Sequence, residues 1–259
     1  MNVGRDVGRI PKRIYYCWFG KHALPKTAQK CMKSWTKYCP DYEIVCINED
    51  NFDVNIHPYC KYHYEQKHFA HVSDYARLYF PAMWGGVYFD IDVELIKPID
   101  SLLCYEAFYS MVNIDFGAEK GYVSTGQGYG TVANHPIVMA MLKEYDMLVP
   151  DSNGAYEMIT AGVLNTKALH KLEAQNGVEI SNERTNILGA EILSGDYTDP
   201  FNDLTGEMKT TSNTFSIHWR SKTWIPRHLV LRSVLTRPLH RMFGIDAAEK
   251  IKSKLSSRQ

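Results

Sequence analysis

Four residues near the middle of this chain have the types and spacing to do chemistry together. Asp90 and Asp92 stand two apart at the end of an apolar run, Val87-Tyr88-Phe89. In an extended segment, residues two apart point to the same side, so the two carboxylates are expected to face one spot. Like charges drawn together and stripped of water repel, so the pair calls for a cation. Hard oxygen ligands suit Mg²⁺ or Mn²⁺, ions that in turn grip the phosphates of a nucleotide. Asp74 and Arg77, three apart on one helical face, lie one element upstream and can reach the same crevice. A bare Asp-x-Asp is usually a solvated strand end. The helix before it, the Gly85-Gly86 break and the apolar lead-in set this one apart.

The elements around these residues read as an α/β layer. Ile10 to Gly20 reads as a first strand ending in the aromatic pair Trp18-Phe19 and a turn. Pro25 to Tyr38 reads as a helix, with Pro25 acceptable in its first turn. Tyr42 to Ile47 follows as a short buried strand, with the polar loop Asn48 to Asn51 at its end. This β-α-β opening fixes a fold class shared by many unrelated enzymes and fixes no chemistry. A strand is also expected from Glu106 to Asn113.

Other stretches invite chemistry and are read more plainly. His57, His63, His68 and His71 match no metal-binding spacing and are expected on a solvated, aromatic-rich helix. Pro81 should end the helix that follows near Phe80 or bend it. Gly126-Gln127-Gly128-Tyr129-Gly130 lacks a phosphate-loop fingerprint and is expected to be a loop before a packing helix through Tyr145. Residues 173–213 suggest loops around short strands.

The chain has 259 residues, enough for one large domain, and its 45% hydrophobic and 22% charged residues are ordinary globular values. Basic and acidic residues balance at 29 each, so no global field favours nucleic acid. The six cysteines form no CxxC pair, and the N-terminal MNVGRDVGRIPKR has no apolar core of a secretory signal. Reduced thiols in a cytoplasmic protein are therefore expected. No apolar run is long enough to span a bilayer.

The stretch SDYARLYFPAMWGGVYFDIDV, residues 73–93, resembles the signature of glycosyltransferase family 32, whose members include fungal and capsular-polysaccharide sugar transferases. A similar pattern recurs in the large clostridial glucosylating toxins. The resemblance implies a GT-A type, nucleotide-sugar-binding Rossmann-like domain with a mixed central sheet. It implies a retaining enzyme using a divalent metal, Mn²⁺ or Mg²⁺, and a nucleotide-sugar donor, a UDP-sugar in preference to GDP-mannose. The acceptor would be a glycan or lipid-linked oligosaccharide in capsule or surface-glycan synthesis of a bacterial type.

Carried onto this chain, the resemblance gives Asp92 the metal and Asp90 the metal, ribose or sugar. Asp74 and Arg77 would hold the donor sugar, with Trp18 and Phe19 at the base; Trp18 as core filler stays open. Thr160 to Thr166 is similar to the family's TGPxxLT, with Ala161-Gly162 in place of Gly-Pro. His218-Trp219-Arg220-Ser221-Lys222-Thr223-Trp224 resembles its HHWxxSW. It would bring His218 to the metal and close Thr223 and Trp224 over the diphosphate. No side chain is an obvious nucleophile, which fits a front-face mechanism; double displacement through a carboxylate such as Asp74 also stays open. Two rivals remain: a non-catalytic binder of nucleotide-sugar or glycan, and an aspartyl-phosphate hydrolase. The hydrolase wants a Thr or Ser where this chain has Glu94.

Beyond Trp224 the tail turns basic, with eight Lys and Arg against two acids over residues 226–259, interleaved with Leu, Val, Met and Phe. The transferase domain is expected over 1–225. The tail is expected to be an amphipathic helical segment, either in peripheral contact with an anionic membrane or packed on the body with a solvated face.

Overall fold

The computed structural model describes residues 10–113, 121–181, 183–221, 225 and 227–244. Ala28, Cys31 and Trp35 recur at helical spacing, and burying them on one side makes the helix α1 (Lys26–Tyr38). It joins two parallel strands, β1 (Arg13–Cys17) and β2 (Glu43–Ile47). The β-α-β opening is present, with Pro25 capping the helix from just outside it.

On the other flank of β1 lies β3 (Gly86–Tyr88), again parallel. Next comes β6 (Tyr129–Thr131), antiparallel to both β3 and β5 (Ala107–Ser110). The sheet ends with β8 (Ala190–Leu193), parallel to β5, and β7 (Thr185–Ile187), antiparallel to β8. The order β2-β1-β3-β6-β5-β8-β7 is a seven-stranded mixed sheet, the α/β class expected. A separate antiparallel ribbon pairs β4 (Val93–Leu95) with β9 (Ser216–His218).

The strand alternation divides the core in two. Ile14, Tyr16 and Val87 point toward α1 and Trp35; Tyr15, Cys17 and Tyr88 point to the opposite face. That opposite face is covered by α2 (Pro58–Glu65), α3 (Phe69–Trp84), α4 (Pro136–Asp146) and α5 (Ala161–Asn176). A last helix, α6 (Arg227–Phe243), follows β9.

Three local expectations are corrected. First, of the two outcomes expected at Pro81, an end to the helix near Phe80 does not occur, and the helix is not left short of a bond. Proline removes the N–H that the Arg77 carbonyl would accept, and the Tyr129 hydroxyl supplies the replacement at 2.7 Å. The helix therefore runs on to Trp84, where Gly85, at φ 67°, ends it. Second, the 57–71 stretch is no solvated helix. It makes α2 and the start of α3, and the histidines line the seam between them. His63 is fully buried, its ring stacked 4.6 Å from that of His71, with Nδ1 3.3 Å from Nδ1 of His68. Third, the glycine-rich stretch holds a 3₁₀ turn (Thr125–Gln127) and the central strand β6, whose short, glycine-bearing sequence gives little strand signal.

Candidate active site

Asp90-Ile91-Asp92 does not continue β3. The strand ends at Tyr88, and the three residues form a turn closed by the Val93 N–H donating to the Asp90 carbonyl at 3.0 Å. The extended geometry expected for the two aspartates is thus replaced by a turn, and their convergence comes from neighbours that pin it. Asp90 N–H donates to the Gly126 carbonyl (2.9 Å), and Trp219 N–H donates to the Asp92 carbonyl (3.0 Å). From the α1 side, the indole of the fully buried Trp35 donates to the Val93 carbonyl at 2.8 Å.

β9 delivers the second half of the site. His218 Nε2 lies 3.3 Å from Asp92 Oδ1, while Asp92 Oδ2 accepts from both the N–H (2.6 Å) and the hydroxyl (2.8 Å) of Ser221. Burial alone would raise the Asp92 pKa; the His218 charge and the Ser221 donors outweigh it and hold the carboxyl well below its usual range. Burial likewise disfavours the His218 cation, yet Asp92 pulls its pKa above the ordinary value. Asp90, Asp92 and His218 each offer a ligand atom, all within 4.8 Å of one another, and they are the one such group among the described residues. The buried Nδ1 of His218 has no hydrogen-bond partner. Two carboxylates and an imidazole whose Nδ1 has no hydrogen-bond partner fit a divalent ion.

Beside this group runs a buried charge network. Arg77 Nη2 sits 2.8 Å from Asp74 Oδ1 and 3.4 Å from Asp90 Oδ1, with its guanidinium over the Tyr88 ring. The Tyr88 hydroxyl donates to Asp90 Oδ1 at 2.8 Å. Burial works against the Arg77 charge, but Asp90, Tyr88 and Asp74 hold its pKa well above the ordinary value. Desolvation pushes the Asp74 carboxyl up, countered in part by Arg77, His71 and the Ala161 N–H at the start of α5.

The structure thus brings together Asp74, Arg77, Asp90, Asp92 and His218. Trp18 is half-buried, with its indole donating to the His22 carbonyl at 2.6 Å. Phe19 is a correction: it is buried with its ring 5.8 Å from that of Phe52, so it is core and offers no face to a base. Thr223 and Trp224 lie outside the described residues. Sequence reasoning missed three contributors. Tyr88 could have been found, since it stands only two residues before Asp90 and its side chain is long enough to bring the hydroxyl to that carboxylate. Ser221 was legible only as part of its motif. Gly126 had been set aside with its loop, although a Cβ there would press on the Asp90 carboxylate and lie 2.9 Å from Arg77 Nη1.

Residues 25–109 match the family model described as "Glycosyltransferase sugar-binding region containing DXD motif". The matched stretch is about a third of this chain, which is there similar to glycosyltransferases that carry a DXD motif. The chain is 47% identical over 45 residues to glucan organizing enzyme 1 of Cryptococcus neoformans var. grubii, a match covering 17% of this chain and 12% of that protein. Among solved structures, the PaToxG glycosyltransferase aligns at 16% identity and TM-score 0.46, over 64% of this chain and 72% of that one. The galactosyltransferase LgtC aligns at 13% identity and TM-score 0.44, over 87% of this chain and 95% of that one. At such scores the two structural likenesses do not bear on chemistry.

Proposed function

We propose that the protein is a metal-dependent retaining glycosyltransferase that takes its sugar from a nucleotide-sugar, a UDP-sugar in preference to GDP-mannose. The acceptor is a glycan or lipid-linked oligosaccharide at the cytoplasmic side of capsule, exopolysaccharide or other surface-glycan synthesis. The observation that carries this reading is the convergence of Asp90, Asp92 and His218 beside the Asp74–Arg77 pair.

Asp92, Asp90 and His218 would hold Mn²⁺ or Mg²⁺. When bound, the ion neutralises charge on the departing diphosphate. Ser221 keeps Asp92 ionised and aimed. Arg77, already charged and dehydrated, presents its fork to sugar hydroxyls or phosphate without reorganising. Asp74 orients that fork and offers its remaining lone pairs to the donor sugar. Because the Asp74 carboxylate is tied to Arg77 and to the Ala161 N–H, it is a positioned acceptor of hydrogen bonds. This favours the front-face route over attack by Asp74. Trp18 stacks the base, a contact worth about 1–3 kcal/mol. Thr223 and Trp224 close over the diphosphate.

Thermal shift with UDP, GDP and their sugars, each with Mn²⁺ or with EDTA, tests the site. A ligand at a hundred times its dissociation constant stabilises the native state by about 2.7 kcal/mol. A metal-dependent shift with one nucleotide, lost in Asp92→Asn, is expected. No shift with any nucleotide would sink the reading. A shift without donor hydrolysis or transfer to any acceptor would favour the non-catalytic binder.

A further inference from the structure

Helix α6 turns its polar side toward the body and its apolar side out. Val230, Ser233, Arg237 and His240 recur at helical spacing and are half-buried. Arg237 Nε donates to the Asp203 carbonyl at 3.1 Å, with its guanidinium over the Phe201 ring, and Arg241 Nε donates to the Thr205 carbonyl at 2.5 Å. The opposite stripe, Leu231, Val234, Leu235, Leu239 and Met242, is 40–74% exposed. Among the described residues, seven of the sixteen exposed large hydrophobics fall on this one helix, so they form a patch and are not scattered singly.

Charge decides what covers the patch. The helix carries four arginines and two histidines and no acidic residue. Arg232, exposed, borders the stripe. A second copy docked stripe to stripe would bring the Arg232 side chains of two positively charged helices into one seam with no carboxylate from either helix to meet them. A bilayer with anionic headgroups answers both features: acyl chains take the stripe and phosphates take Arg232 at its border, while Arg237 and Arg241 hold the helix to the body.

We infer that α6 lies flat in the interface of an anionic lipid bilayer and docks the enzyme there. The inference is independent of the donor chemistry. It also places the site near lipid. Phe201, against which Arg237 packs, is itself 5.4 Å from the ring of Trp219, whose N–H bonds the Asp92 carbonyl.

The test is co-sedimentation of the full chain with vesicles of phosphatidylcholine alone and of phosphatidylcholine mixed with phosphatidylglycerol. Binding to the mixed vesicles is expected, weakening as salt rises. It should fall by about tenfold or more in the double variant Leu235→Glu/Leu239→Glu, and by less in Arg232→Glu. All three side chains are exposed, so the melting temperature should stay at the wild-type value. Absence of binding to the mixed vesicles overturns the inference, as does equal binding by the double variant. A concentration-dependent dimer in lipid-free solution that the double variant abolishes would assign the stripe to a second copy and also overturn it.

Discussion

Replacing Gly126 by alanine isolates what the glycine does for the site. Its backbone lies outside the left-handed region, so alanine suits the folded conformation and restricts the unfolded chain, a gain of about 0.4–1 kcal/mol. Against this, the new Cβ would sit 3.1 Å from Asp90 Cγ and 2.9 Å from Arg77 Nη1, both inside the 3.4 Å of ordinary contact. Neither neighbour yields freely. Asp90 is held by the Tyr88 hydroxyl, and Arg77 by Asp74 and by the Ser73 carbonyl, which accepts from its Nε at 3.2 Å. Crowding of this kind costs about 1–3 kcal/mol, so the net loss of stability is about 0–2.5 kcal/mol, a few degrees in the melt for a chain of this size. Activity responds more steeply. A displacement approaching 1 Å at a group that positions substrate costs on the order of a hundredfold, equal to about 2.7 kcal/mol of barrier. The assay is release of nucleotide from a UDP-sugar with Mn²⁺, alongside calorimetry. Expected is a folded variant with kcat/KM down about a hundredfold. Wild-type turnover in the variant would refute the reasoning, because Asp90 and Arg77 would then tolerate the shift.

Four further outcomes follow from the same geometry. Asp92→Asn keeps the shape of the turn but loses the metal-dependent nucleotide shift and at least about a hundredfold of activity, read by melting and product release. Ser221→Ala removes one of two donors to Asp92 Oδ2 and should weaken Mn²⁺ binding about 10–100-fold in titration calorimetry with UDP present. Trp35→Phe leaves the Val93 carbonyl unpaired beneath the Asp90–Asp92 turn and should cost about 2–4 kcal/mol in urea unfolding. His63 is buried and held at a pKa of about 4, chiefly by desolvation and then by His71 and His68, against an ordinary 6.5. Because folding lowers this pKa, the stability it contributes is full above pH 6.5 and is lost as pH falls toward 4, on the order of 3 kcal/mol. In His63→Leu the melting temperature should fall less steeply over that window; an unchanged slope would show that His63 does not set it.

How much of this was legible depends on whether a feature is local. The β-α-β opening and α1 read directly, because Ala28, Cys31 and Trp35 keep helical spacing and each strand is bounded by turns. Asp74 and Arg77 read as one face because they lie three apart on a helix that did form. The Asp90–Asp92 pair was legible as a pair but not as a turn, since its bend is held by Gly126 and Trp219, both distant in sequence. Pro81 looked like a break because its compensation, the Tyr129 hydroxyl, sits on another element. The histidines of 57–71 looked solvated because only tertiary packing of α2 on α3 shows that they face one another. The burial of Phe19 is not legible because an aromatic pair at a strand end does not reveal which ring turns inward.

The ribbon of β4 and β9 also has a consequence for the order of assembly. The hydrogen bonds from Ser221 to Asp92 join groups 129 residues apart, so closing that loop carries an entropic cost that local contacts do not. A growing chain that has reached the end of β8 already holds every strand of the large sheet, and Asp74, Arg77, Asp90 and Asp92 with it. It still lacks His218 and Ser221. The proposed site is therefore the part of the fold that waits for the end of the chain, and activity is expected only once β9 has paired with β4.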